Sequence, residues 1–267
     1  MDKSSNSFNW EKYIKMMETQ DLIAANDYRH SCVPKTLYKF YPNNIITKRM
    51  AALREKKLWL APVSSFNDPF EFSAFYYPNW NANAQNKIKQ DLSANFRIAS
   101  LTTQSYRCPI MWAHYGGSHT GFCVEYEIKN PRFIWNVYYS EKRLPYGNGL
   151  YKMLKNIERS CDDCIEMGMF IQQLAYKSKE WAYEQEYRII IPAQNDFSTS
   201  LNECGEMYRL DAVGLKTKAI YAGWKTSEPV IRKLEKSANI IDCEFYKTTL
   251  SSQKFEMEIL KNGPHEI

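Results

Sequence analysis

The run KSKEWAYEQEYRIIIP at residues 177–192 places helix formers ahead of an apolar stretch that Pro192 closes. Its first half favours a helix. Its second half, rich in isoleucine, favours a strand. Side chains two apart on a strand share a face. Glu184, Glu186 and Arg188 are therefore expected on one side, with Tyr187, Ile189 and Ile191 turned to the core. Two carboxylates beside a guanidinium can stabilise a developing cation or polarise a hydroxyl. A solvated strand face with a cross-strand ion pair explains the same spacing without chemistry.

Working outward, TLYKFY (36–41), LWLAP (58–62), RIASLT (97–102), FCVEYEI (122–128), WNVYYS (135–140), MYRLD (207–211), KAIYAGW (218–224), IIDCEFYK (240–247) and FEMEI (255–259) read as strands. Helices are expected over 8–30, about 45–56, 80–96, about 150–176 and 226–237, with a short helix or turn in PIMWAHYGGSHTG (109–121). Strands and helices interleave without repeats or long linkers. The expectation is an α+β fold in which helices flank a mixed, mainly antiparallel sheet. Residues 1–35 form a helical lead-in, and 36–267 form one domain.

Composition narrows the function classes only coarsely. The chain has 267 residues, a 15% aromatic fraction and a net charge of +5. Large apolar side chains at this density exclude a disordered chain. The mild basic excess suits an anionic partner but is too dispersed to make nucleic-acid binding the default. No apolar run is long enough for a membrane span, and the amino terminus MDKSSNSFNWEKY lacks a secretory stretch, so a cytoplasmic protein with reduced thiols is expected. Cys161 and Cys164 have the spacing of a metal half-site, but without a second pair no metal site is assigned.

Three other segments carry polar residues of interest. Lys39, beside Tyr38, offers a point charge for a phosphate or carboxylate, or a solvent-facing lysine. In SSFNDPFE (64–71), Asn67 and Asp68 suit a turn through side-chain to backbone hydrogen bonds, while Glu71 is freer to orient a ligand. As a histidine, His114 is a candidate general acid or base, and Trp112 and Tyr115 beside it present flat rings suited to a base or a nicotinamide.

Taken together, Tyr38-Lys39-Phe40, LWLAPVSSFNDPFE (58–71), MWAHYGGSHTGFCVEY (111–126) and KSKEWAYEQEYRI (177–189) resemble the bacterial domain-of-unknown-function family 2971 over about residues 36–224. A remoter resemblance is to the ADP-ribosyltransferases. These carry an Arg or His on a first strand, an aromatic or Ser-containing motif on a middle strand and Glu-x-Glu on a late one. That resemblance implies a split sheet and NAD as substrate. It implies that Glu186 stabilises the nicotinamide–ribose transition state and that Glu184 activates or orients the acceptor, with His114 as a further catalytic group. Lys39, Tyr38, Asn67, Asp68, Tyr115 and Arg188 would shape the NAD pocket. Lysine at the first position and the lack of a Ser-Thr-Ser motif depart from the pattern. A toxin or phage-defence effector is the biology it implies, with the acceptor, protein or nucleic acid, left open.

Two other functions fit the same residues. Asp68, Glu71, Glu184 and Glu186 could hold Mg²⁺ in a nuclease or nucleic-acid-binding effector. Alternatively, the Glu–Arg cluster could fix the fold of a non-catalytic sensor module.

Overall fold

The computed structural model describes residues 8–18, 21–68, 70–72, 74–76, 90, 94–145, 173–193 and 205–260. Expected helices over 80–96 and 150–176 fall almost wholly outside this set, as do Cys161 and Cys164. The architecture is α+β with a mainly antiparallel sheet flanked by helices. The chain divides into two units. Unit 1 comprises residues 1–33, 60–100 and 131–206, and unit 2 comprises 34–59, 101–130 and 207–267. The division falls inside two strands, β2 (Lys57–Pro62) and β4 (Phe96–Thr102).

In unit 1 the amino-terminal segment folds as two helices, α1 (Trp10–Glu18) and α2 (Leu22–Ser31), rather than one. Asp21 accounts for the break, because its side chain caps α2 by accepting from Ala24 N–H at 3.1 Å. These helices are part of the core: Trp10 stacks on Trp135 with ring centroids 6.1 Å apart. The buried Arg29 guanidinium lies 3.9 Å from the Trp135 ring and donates to the Ile134 carbonyl at 2.7 Å. The strand expected over 135–140 is two strands, β6 (Ile134–Asn136) and β7 (Tyr138–Ser140), separated by Val137. β6 pairs antiparallel with β10 (Glu186–Pro192), and β7 pairs parallel with β9 (Tyr176–Ser178). β10 also pairs with β4. The short β3 (Phe75–Tyr76) and β8 (Leu144–Pro145) form a separate parallel pair.

Unit 2 is built on β1 (Thr36–Tyr41), β5 (Phe122–Ile128) and β12 (Leu215–Ala222), all antiparallel neighbours. β12 then runs through α5 (Glu228–Ile241) into the parallel β13 (Glu244–Leu250), a strand–helix–strand crossover, and β13 pairs antiparallel with β14 (Met257–Ile259). α5 continues to Ile241, so Ile240 and Ile241 belong to the helix, not to the strand expected at 240–247. Ile231, Leu234, Ala238 and Ile241 recur at helical spacing and are all buried, and Asp242 ends the helix in the left-handed region. α3 (Ile46–Arg54), the six-residue α4 (Pro109–His114) and β11 (Glu206–Arg209) complete the unit.

Candidate functional site

The charged residues of KSKEWAYEQEYRIIIP form a buried cluster in unit 1. Residues Lys179–Glu184 make a 3₁₀ turn, and Gln185 adopts a left-handed conformation with φ 47°. The strand begins only at Glu186. The expectation that Glu184, Glu186 and Arg188 share one strand face therefore fails for Glu184. The left-handed Gln185 nevertheless brings Glu184 back beside Glu186. Nor is the face solvated: Glu71, Lys177, Glu184, Glu186 and Arg188 are all between 0% and 6% exposed.

Arg188 organises the cluster. Its Nε donates to Glu186 Oε1 at 2.9 Å and its Nη2 to Glu186 Oε2 at 3.2 Å. Nη2 also donates to Glu71 Oε1, and Nη1 to the Leu174 carbonyl. The guanidinium lies 5.6 Å and 5.2 Å from the ring centroids of Phe66 and Phe72, which pack edge to face. Lys177 supplies the second cation. Its Nζ donates to Glu184 Oε2 at 2.6 Å and to Glu186 Oε2 at 3.2 Å, lies 3.9 Å from Glu71 Oε2, and sits 4.6 Å from the Trp181 ring centroid. The Glu186 backbone N–H donates to the Tyr139 hydroxyl at 2.8 Å, and Ser100 hydrogen-bonds the Glu186 carboxylate.

Three carboxylates thus share two cations. Burial pushes the Glu186 carboxyl up, but Arg188 and Lys177 more than offset it and hold the group down to about 2. Glu71 is raised, because burial and the Glu186 charge outweigh the pull of Arg188 and Lys177. Burial would lower Lys177, yet Glu186, Glu71 and Glu184 together raise it. Glu186 is held firmly ionised, whereas Glu71 is pushed toward its protonated form.

Asp68 closes the turn ahead of Glu71. Its Oδ1 accepts from Phe70 N–H at 2.9 Å, and its carbonyl accepts from Glu71 N–H at 3.0 Å. This is the structural role that the turn chemistry suggested. Asp68 is buried and its Oδ2 has no hydrogen-bond partner among the described residues, whereas Asn67 is exposed. Lys177 was missed at the sequence level. KSKEWAYEQEYRIIIP carries a signal for it, a lysine near two glutamates, but its helix formers point to a helix there, whereas Lys177 lies at the middle of β9.

The remaining candidates belong to unit 2. His114 is exposed at the end of α4, with its ring 6.2 Å from that of Tyr115. Lys39 Nζ lies 5.8 Å from the Tyr41 ring centroid. Tyr38 hydrogen-bonds Glu125, a buried carboxylate that the sequence reading passed over. Glu125 Oε2 also accepts from the Tyr221 hydroxyl at 2.6 Å, and Oε1 from Lys218 Nζ at 2.6 Å. Tyr106 stacks on Tyr221 at 4.2 Å, and Tyr221 on Tyr246 at 5.3 Å. Burial, then Glu125, raises the Tyr221 hydroxyl. In the alternating FCVEYEI strand Glu125 falls on the polar set with Cys123 and Glu127, opposite Phe122, Val124 and Tyr126, and is in register with Tyr38 on β1.

Among the described residues no group of three or more His, Cys, Asp or Glu is arranged to hold a metal ion. The carboxylates that a Mg²⁺ site would draw on, Glu71, Glu184 and Glu186, turn their oxygens to Lys177 and Arg188 instead. Among the described residues no helix is long and apolar enough to cross a membrane. No curated protein and no solved structure matches the chain. Residues 111–189, less than half of the chain, match the model of a family described as a protein of unknown function, DUF2971.

Proposed function

We propose that the chain is an ADP-ribosyltransferase-like, NAD-consuming transferase in which Glu186 is the central carboxylate. One observation carries this: Glu186 is held ionised on the first residue of a strand, and Glu184, two residues upstream, is held beside it by the same lysine. A fixed negative charge of this kind favours a cationic, oxocarbenium-like ribose as the bond to nicotinamide breaks and its electron pair leaves with the ring. The acceptor then bonds to the ribose carbon, and Glu184 takes the acceptor's proton. For either carboxylate to touch a ligand, Lys177 must give up part of its hold. A toxin or phage-defence role rests on the family resemblance alone.

A second function has its own support. All five charged side chains are at most 6% exposed, which suits a non-catalytic module whose buried ion cluster fixes the fold. Incubating the protein with NAD, with and without EDTA and cell lysate, and following nicotinamide by mass spectrometry separates the two. Release that survives EDTA and is abolished in a folded Glu186→Gln variant is the expected result. A folded wild-type protein that releases no nicotinamide under any of these conditions removes the transferase and leaves the structural cluster.

A further inference from the structure

The Glu186 cluster is almost closed to water, so a ligand reaches it only if part of its wall moves. Most of that wall is fixed. Glu186 and Arg188 lie in β10, Lys177 lies in β9, and Phe72 and Leu174 against them are at most 1% exposed. The exception is the 3₁₀ turn Lys179–Glu184, which joins β9 to β10. Lys179 and Glu180 are exposed, Trp181, Ala182 and Tyr183 are half-buried, and within the turn only Glu184 is buried.

Two side chains of this turn complete the cluster. The Trp181 ring centroid lies 4.6 Å from the Lys177 ammonium, and Glu184 Oε2 accepts from the same ammonium at 2.6 Å. At the outer end Lys179 pairs with Glu141, but both side chains are at least 60% exposed, which makes this a weak tie. The turn ends at Gln185, whose φ of 47° and ψ of 51° are left-handed, a conformation that a non-glycine residue holds at a cost. Charge acts in the same direction as this strain. In the closed arrangement Glu71, Glu184 and Glu186 share two cations, whereas without Glu184 the pair Glu71 and Glu186 is balanced by Lys177 and Arg188.

We infer that the turn Lys179–Glu184 is a lid, hinged at Ser178 and Gln185, that seals Glu186 with Trp181 and Glu184 and opens without disturbing β10. The lid presupposes the reading above, in which a ligand meets Glu186, and supplies the way in. Opening uncovers Lys177 and Glu186 together and carries Glu184 outward. Closing over a ligand returns Glu184 beside Glu186 and shuts out water.

The test is acetylation of Lys177 by an amine-reactive reagent, in the full chain without NAD, read by mass spectrometry on the peptide that contains it. The reagent meets this ammonium only when Trp181 and Glu184 have moved away. A lid exposes little surface, so the labelling rate should change by less than about twofold as urea is added below the unfolding transition. Gln185→Val puts a β-branched residue at positive φ and should speed labelling about tenfold, and Trp181→Ala by at least as much. The lid is overturned if wild-type labelling climbs with the full slope of global unfolding, or if both variants label at the wild-type rate. Nicotinamide release from a protein whose Lys177 is labelled only through global unfolding would remove the lid alone. A lid that opens in a protein releasing no nicotinamide would stand while the transferase falls.

Discussion

The molecule buries glutamates in both units and satisfies them in two ways. Glu186 in unit 1 is satisfied by charge, through Arg188 and Lys177. Glu125 in unit 2 is satisfied largely by hydroxyls, those of Tyr38 and Tyr221, with the exposed Lys218 reaching in from the edge. The first solution is tight but brittle, because removing one member leaves an uncompensated charge in a dry environment. The second is graded: each hydroxyl is neutral, and losing one leaves an oxygen with fewer partners but no stranded countercharge.

The largest expected effect comes from Arg188→Met, which strands Glu71 and Glu186 together. It should cost about 3–5 kcal/mol, read as a lower denaturant midpoint at unchanged slope. Adding Glu71→Gln and Glu186→Gln to it should recover much of that loss. If the single variant costs less than about 1 kcal/mol, the ionic account of unit 1 is wrong.

Acid sharpens the contrast next. Glu186 has its folded value depressed from 4.5 to about 2, so the stability it contributes is fully present above about 4.5 and is lost as pH falls toward 2. Glu71 is raised, so its ionised form opposes folding, and lowering pH through its folded value relieves that cost. Unfolding measured from pH 7 to 3 should show a loss below about 4.5 that disappears in Glu186→Gln. An identical acid limb in that variant would assign the loss to other carboxylates.

Smaller effects belong to unit 2. Tyr221→Phe removes one hydroxyl from Glu125 and should cost about 1–2 kcal/mol. Lys218→Ala, at a side chain half exposed to water, should cost about 1 kcal/mol or less and lose even that in high salt. Chemical denaturation of both variants gives the order, and a reversal would mean that Glu125 is held by charge after all.

The two glutamates also differ in how far sequence revealed them. The strands of unit 2 are legible because TLYKFY, FCVEYEI and KAIYAGW carry dense β-branched and aromatic side chains, but the pairing that sets Tyr38 opposite Glu125 is seen only in the structure. Glu125 itself was overlooked, because a charge in an alternating strand is assigned to solvent by default. In unit 1 the residue types of the cluster are legible, and Glu71 stands out in its turn as a ligand-orienting group, although nothing in the sequence pairs it with Arg188. The geometry was not. A left-handed, non-glycine Gln185 has no local sequence signal, and it is the residue that turns Glu184 out of strand alternation and toward Lys177. The joined helix over 8–30 and the strand over 240–247 failed for simpler reasons, a capping Asp21 and a helical period that outlasts its expected end at Ser237.

The spacing of the cluster along the chain has a kinetic consequence. Lys177, Glu184, Glu186 and Arg188 lie within a dozen residues and are balanced, two cations against two anions, whereas Glu71 meets Arg188 across 117 positions. Short loops close at little entropic cost, so the balanced four can assemble early and Glu71, carrying the excess charge, docks late. Glu71→Gln should then alter the unfolding limb of a chevron plot and leave the folding limb nearly unchanged, whereas a slowed folding limb would place Glu71 in the nucleus.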